Sequence, residues 1–119
     1  MNEQEIQNRI RAALSSPERI VFRTNAGEFW QGQRVYSNEF RQTVLINLRK
    51  IDGLPKGFSD LIVVDRRGIA FIETKTPAGT VREEQERFLN RMRSLGHRAG
   101  VARSVGEALA IVNGKEVTP

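Results

Sequence analysis

DLIVVDRRGIAFIETK, residues 60–75, is the stretch that decides how this chain folds. Its two apolar runs, residues 61–64 and 69–72, are apolar on both side-chain parities. Such runs belong to strands covered on both faces, and the intervening Arg66-Arg67-Gly68 reads as a tight turn. A central β-hairpin follows. With Arg67-Gly68 as its two-residue turn, Arg66 opposes Ile69, Val64 opposes Phe71, Ile62 opposes Glu73 and Asp60 opposes Lys75. Opposed residues share a face of the sheet, so Asp60, Glu73 and Lys75 are expected to emerge together. The two carboxylates would then be diagonal neighbours about 7–8 Å apart at most. A slip of one residue would turn Asp60 away from Glu73.

Outward from the hairpin, the pattern predicts helices on a mixed sheet. Ile6, Ile10, Ala13 and Leu14 recur at helical spacing over residues 3–14, and Ser15-Ser16-Pro17 stops that helix. Residues 20–24 read as a strand, and residues 43–48 as another. Residues 25–42, punctuated by Gly and Asn, read as a loop or irregular hairpin, and residues 49–59 as turn-rich. After the hairpin a helix is expected over about 81–95. Thr80 and Glu83 would form its capping box, Phe88, Leu89, Met92 and Leu95 its apolar stripe, and Gly96 its stop. Residues 98–103 form a strand, and Ser104 with Glu107 cap a last helix running to about Val112. A helix joining strand 69–75 to strand 98–103 makes those two strands parallel.

Composition narrows the function. The 119 residues suit one domain, 1–119, with a single core. No apolar run approaches a membrane span and the N-terminal residues do not read as a signal peptide, so the expected compartment is the cytoplasm. With no Cys and one His, disulfides, thiolate zinc sites and a Ser-His relay drop out. Nineteen Lys and Arg against 14 Asp and Glu give a net charge of +5, dominated by arginine. That surface attracts polyanions through counterion release, although a solvated basic surface has the same composition.

Charged residues directly after a doubly apolar strand need a partner or a metal. Two carboxylates on one face suit a hard cation, Mg²⁺ or Mn²⁺, better than zinc. The Thr74 side chain is expected on the other face, with its backbone carbonyl available as a further ligand. A divalent ion there stabilises charge on a phosphate and acidifies a water, and Lys75 beside it orients that water or stabilises the developing charge. Together the parts describe phosphodiester hydrolysis. The plainer alternative is an edge carboxylate with a solvated Glu73–Lys75 pair, worth under about 1 kcal/mol.

Gly57-Phe58-Ser59-Asp60, then Ile72-Glu73-Thr74-Lys75, then Gln85 in the following helix, resembles the PD-(D/E)xK nuclease superfamily. More specifically it resembles the stand-alone, phage-type VRR-NUC domain of replication and repair nucleases. The likeness extends to the first helix NEQEIQNRI, the strand-loop FRTNAGEFW and the C-terminal SVGEALAIV. It implies an α/β fold with a PD-(D/E)xK restriction-endonuclease-like core, a central mixed β-sheet flanked by helices. It also implies metal-dependent DNA cleavage, with Asp60 and Glu73 as metal ligands, Lys75 as the catalytic lysine and Gln85 supporting the site. Related junction resolvers add a glutamate from the first helix. Glu3 and Glu5 both qualify, and Glu3 shares the stripe of Ile6 and Ile10. Ser59 departs from the proline that commonly precedes the aspartate.

Candidate phosphate contacts are Lys56 and Arg82, which lie nearest the expected site in sequence, then Arg23, Arg34 and Arg41, with Lys50, Arg66 and Arg67. Arg91, Arg93 and Arg98 read as solvated faces. Trp30 and Tyr36 are either base-stacking platforms or core and interface residues. Symmetric cutting of a four-way junction needs two sites, which a homodimer supplies. The leading expectation is therefore a junction-selective endonuclease acting on branched DNA. The alternatives are a restriction-like, nicking or flap nuclease on duplex DNA, and a non-catalytic nucleic-acid-binding module.

Overall fold

A computed structural model describes residues 1–25 and 28–114. Two residues of the early loop, 26 and 27, lie outside the described set, as does the C-terminal stretch from 115. The elements are α1 (Glu3–Leu14), β1 (Ile20–Arg23), β2 (Glu28–Ser37), β3 (Gln42–Asp52), β4 (Leu61–Asp65), β5 (Gly68–Thr74), α2 (Glu83–Ser94), β6 (Arg98–Ala102) and α3 (Val105–Val112). The main sheet has the order β1-β4-β5-β6. Its β5–β6 pair is parallel and the other two pairs are antiparallel, so the sheet is mixed and the hairpin is its centre.

The two apolar parities of that hairpin meet two helical layers. Leu61, Val63, Ala70 and Ile72 face α1 and α3, packing on Ile6, Ile10, Leu14, Ala108, Ile111 and Val112. Phe71 and, from β6, Val101 turn to the opposite layer, where Leu89 of α2 is buried and Phe58, Ile62, Phe88 and Met92 pack around it. Each wholly buried aliphatic side chain, such as Ile10, Leu14 or Ile72, contributes about 1.5–3 kcal/mol.

Several expectations shift. The hairpin pairs Leu61 with Ile72 and Asp65 with Gly68, a register two residues away from the expected one. The turn is Arg66-Arg67, because Asp65 Oδ1 accepts a 2.8 Å bond from the Arg67 N–H and Gly68 takes φ +110°. Asp at the first turn position and Gly at the fourth favour that geometry. A two-residue shift leaves side-chain faces unchanged, so Asp60 moves from opposite Lys75 to opposite Glu73 without changing sides.

Helix α2 starts at Glu83 rather than about 81. Its cap residue is Arg82, so the expected Thr80–Glu83 box does not form. Leu95 lies outside the apolar stripe, exposed beyond the last turn. At α3 the Ser104 hydroxyl accepts from the Glu107 N–H as expected, while the Glu107 carboxylate reaches the Arg103 N–H.

The largest departure is residues 28–52. They form a second, two-stranded sheet in which β2 and β3 pair only with each other. Strand β3 runs to Asp52, well past the expected end at residue 48. A register shift between Gln31 and Gln33 is taken up by Asn47 at φ +54°. Its exposed side chains include Trp30, Tyr36, Leu45, Ile46, Leu48 and Ile51. Trp30 and Tyr36 are thus not core residues.

Candidate active site

Both central strands deliver carboxylates to the same end of the sheet. Asp60 immediately precedes β4, where Thr24 pins its backbone. The Thr24 N–H donates 2.9 Å to the Asp60 carbonyl, and its hydroxyl bonds the carbonyls of Ser59 and Asp60. Ser59 is fully buried and its hydroxyl donates to the Leu61 carbonyl, so it fills the position before the aspartate with a local bond. On β5, Glu73 comes from the parity that faces α2. Glu3 arrives from the first turn of α1, below the Asn2 cap. One carboxylate oxygen from each of Glu3, Asp60 and Glu73 lies within 4.8 Å of the others. Glu5 is not part of this cluster.

The surroundings hold these acids in place and desolvate them. Glu73 is 1% exposed. Its Oε1 accepts a 2.8 Å bond from Gln85 Nε2 and lies 4.0 Å from Lys75 Nζ, while Oε2 is buried with no hydrogen-bond partner. Gln85 reaches both ways. Its Oε1 accepts from the Arg82 N–H at 3.0 Å, capping α2, which leaves its amide N–H for Glu73. Burial pushes the Glu73 carboxyl up to about 8. The Asp60 and Glu3 charges push the same way, against the pull of Lys75.

Asp60 Oδ2 accepts from both the Thr74 N–H (2.9 Å) and the Thr74 hydroxyl (2.7 Å). The Thr74 side chain keeps to the α1 side of the sheet, opposite Glu73 as expected, yet its hydroxyl still reaches Asp60. Asp60 sits beyond the strand end, and its carboxylate reaches the Thr74 hydroxyl there. Gln7, which sequence reasoning missed, donates to the same hydroxyl at 3.3 Å.

An oxygen-only donor set suits a hard divalent cation. The orphaned Glu73 oxygen is what such an ion would complete. Three crowded acids, one of them buried, repel one another unless a cation or protons intervene. The residues fit such an ion.

A cleft of about 880 Å³ opens beside the acids, lined in part by Gln7, Asp60 and Gln85 and rimmed by Arg23, Lys50, Lys56 and Arg82. Four of the expected phosphate contacts thus gather there. The Glu84 carboxylate sits between two of them, 3.6 Å from Lys56 and 3.7 Å from Arg82. Arg34 and Arg41 do not join the cleft lining: Arg34 lies on β2 and Arg41 in the turn that joins β2 to β3. Arg66 and Arg67 occupy the opposite end of the central hairpin from Asp60 and Glu73. Arg98 is no solvated face. It is half-buried and forms a bidentate pair with Asp65 at 2.8 and 2.9 Å.

A mixed sheet with helices on both faces, presenting acids, a lysine and a glutamine at one end, defines a nuclease-type α/β domain. The family model of the VRR-NUC domain matches residues 1–106, and the chain belongs to that family. Among solved structures, one described as a VRR_NUC domain is 20% identical and covers 96% of this chain and 97% of its own, with a TM-score of 0.52. Comparison with curated proteins gives no match. Membership makes this a nuclease domain, for which DNA is the implied substrate. No described helix is long and apolar enough to cross a membrane.

Proposed function

We propose that the chain acts as one domain, a divalent-metal-dependent DNA endonuclease that cuts branched DNA, such as four-way junctions, as a homodimer. The meeting of Glu3, Asp60 and Glu73 within 4.8 Å beside Lys75 is the observation that carries this reading. Bound Mg²⁺ or Mn²⁺ would supply positive charge to a phosphate and acidify a water. Glu3, Asp60 and Glu73 would hold it, with the Thr74 carbonyl as a further oxygen. Lys75 is 7% exposed, so its ammonium acts in a poorly hydrated setting where it orients a water or stabilises charge on the phosphate. Gln85 fixes the Glu73 carboxylate and Thr74 fixes that of Asp60. Arg23, Lys50, Lys56 and Arg82 take the DNA backbone along the cleft rim. Arg34 and Arg41 reach DNA farther from the cut if the ribbon lies along it.

Branch selectivity and the dimer draw support from the apolar ribbon, which a second copy would cover, and from the geometry of symmetric cutting. The setting this reading implies is replication, recombination or repair in a bacterial or phage-infected cytoplasm. Synthetic four-way junctions and linear duplex, incubated at matched salt with Mg²⁺ or Mn²⁺, test it. Preferential junction cutting that EDTA abolishes is expected. Equal cutting of both substrates removes the branch selectivity. Inertness with both metals removes the nuclease.

A further inference from the structure

The exposed polar residues of α1 alternate with a stripe of Glu3, Gln7, Ile10 and Leu14 that faces the sheet. Three of these are buried, and the polar one, Gln7, is 6% exposed. A glutamine in such a place needs partners, because a buried polar group left without one destabilises the fold. Its amide N–H donates to Thr74 Oγ1 at 3.3 Å, and that hydroxyl donates to Asp60 Oδ2 at 2.7 Å. The polarity of this chain is forced from one end. The Gln7 amide nitrogen only donates, so the Thr74 hydroxyl must accept from it and give its own proton to Asp60 Oδ2. Gln7 Oε1 is left buried without a partner. Among the described residues, the buried side-chain polar atoms without a hydrogen-bond partner are this oxygen and Glu73 Oε2; Gln7 lines the cleft, and Glu73 lies behind Gln85, which also lines it.

We propose that Gln7 is a positioning residue of the cation centre, acting through the Thr74 hydroxyl to fix the Asp60 carboxylate. The inference rests on the metal-dependent reading above. Asp60 Oδ2 is occupied by the Thr74 amide and hydroxyl, which commits the other oxygen to the cation. Without the Gln7 N–H, the hydroxyl is free to rotate away from Asp60. Partners that orient a ligand in this way typically change metal affinity by about 10–100-fold when removed.

The test is Mn²⁺ binding by calorimetry on the full, EDTA-treated chain, with thermal unfolding as the fold check. Gln7→Met and Thr74→Val should each weaken Mn²⁺ binding by about tenfold, and the double variant should be no weaker than Thr74→Val alone. Shared loss of this kind marks one relay and not two separate packing defects. Thr74→Ser, which keeps the hydroxyl, should bind close to wild type. Gln7→Asn keeps the amide but shortens its reach, and gives the same result if Gln7→Met does not fold. Wild-type affinity in Gln7→Met, or losses that multiply in the double variant, overturn the relay alone. Wild-type protein that takes up no Mn²⁺ overturns both the relay and the metal-dependent reading.

Discussion

Glu73 near the end of β5 and Lys75 just past it sit two residues apart, and their substitutions should separate binding from chemistry. Glu73→Gln removes a ligand charge from the most buried member of the acidic cluster, so Mn²⁺ affinity and cleavage should fall together. Lys75→Met keeps the acids, so the metal should still bind while cleavage drops about 10²–10³-fold, the usual cost of one charge-stabilising group. Calorimetry and single-turnover cleavage on the same two variants check the split. A Lys75→Met protein that cleaves at the wild-type rate would reduce the lysine to a structural counter-charge. The acids were legible in the sequence because two doubly apolar strands run straight into them, and no soluble core places charge there without a reason. Gln7 and Thr24 were not. One of two glutamines in the first helix and one threonine after a short strand carry no pattern, and their importance comes from side chains and carbonyls brought in by the fold.

The elements that aim these residues are strained or paired at identifiable points. Gly57 takes φ +94°, and a Cβ there would lie 2.6 Å from the Glu84 carbonyl of α2. Gly57→Ala should therefore push the loop before Asp60 off α2 and cost about 1–3 kcal/mol, measured by denaturant unfolding, with cleavage falling as Asp60 moves. At the far end of the same hairpin, Asp65 is held below the usual carboxylate range, first by its hydrogen bond from Arg98 and next by the Arg67 N–H and the charges of both arginines, against desolvation. Its side chain is 12% exposed and that of Arg98 is 13%. A carboxyl pKa lower in the folded than in the unfolded chain adds stability at pH above about 4. That stability disappears as pH falls through the lowered folded value. Asp65→Asn should cost about 1–2 kcal/mol at neutral pH, the scale for weakening charge-assisted hydrogen bonds in a part-buried pair, and flatten the acid limb of a stability–pH curve. An unchanged acid limb would mean the pair contributes nothing. The hairpin, the parallel crossover and the order of helices were readable from apolar parity and caps. The register was not, because both Arg67-Gly68 and Arg66-Arg67 are plausible turns. The choice fell to an Asp65 side-chain bond that only the folded turn displays. Both registers keep one parity, so the meeting of residues 60 and 73 survived the error.

At the scale of the molecule, the described chain is elongated, 54 × 31 × 26 Å, and the β2–β3 ribbon pairs with no strand of the main sheet. The sequence could not reveal this. Residues 28–52 are apolar on both parities and broken by Gly32 and the Asn47 irregularity, so the part up to 42 reads equally as loop or irregular hairpin. A two-stranded ribbon is marginal in water on its own, and large exposed apolar patches on soluble proteins mark surfaces that bind something. Trp30 pairs with Lys50 and Arg34 with Leu45 on one side of the ribbon. That side is mixed enough to bury against a copy of itself while leaving cations at its margin. If ribbons from two chains cover each other, wild-type protein should sediment at twice 13.5 kDa and make paired incisions in a four-way junction. Replacing Trp30 and Leu45 together by Glu places four carboxylates in the shared surface of such a dimer. Like charges that meet across an interface cost several kcal/mol. The variant should sediment as a monomer with its main-sheet unfolding transition intact, because neither residue belongs to either core cluster. It should still bind Mn²⁺ and nick one strand, but lose the second, symmetric incision. A wild-type monomer, or a Trp30→Glu/Leu45→Glu protein that still makes paired cuts, would assign the ribbon to another partner and leave the nuclease centre as a one-chain device.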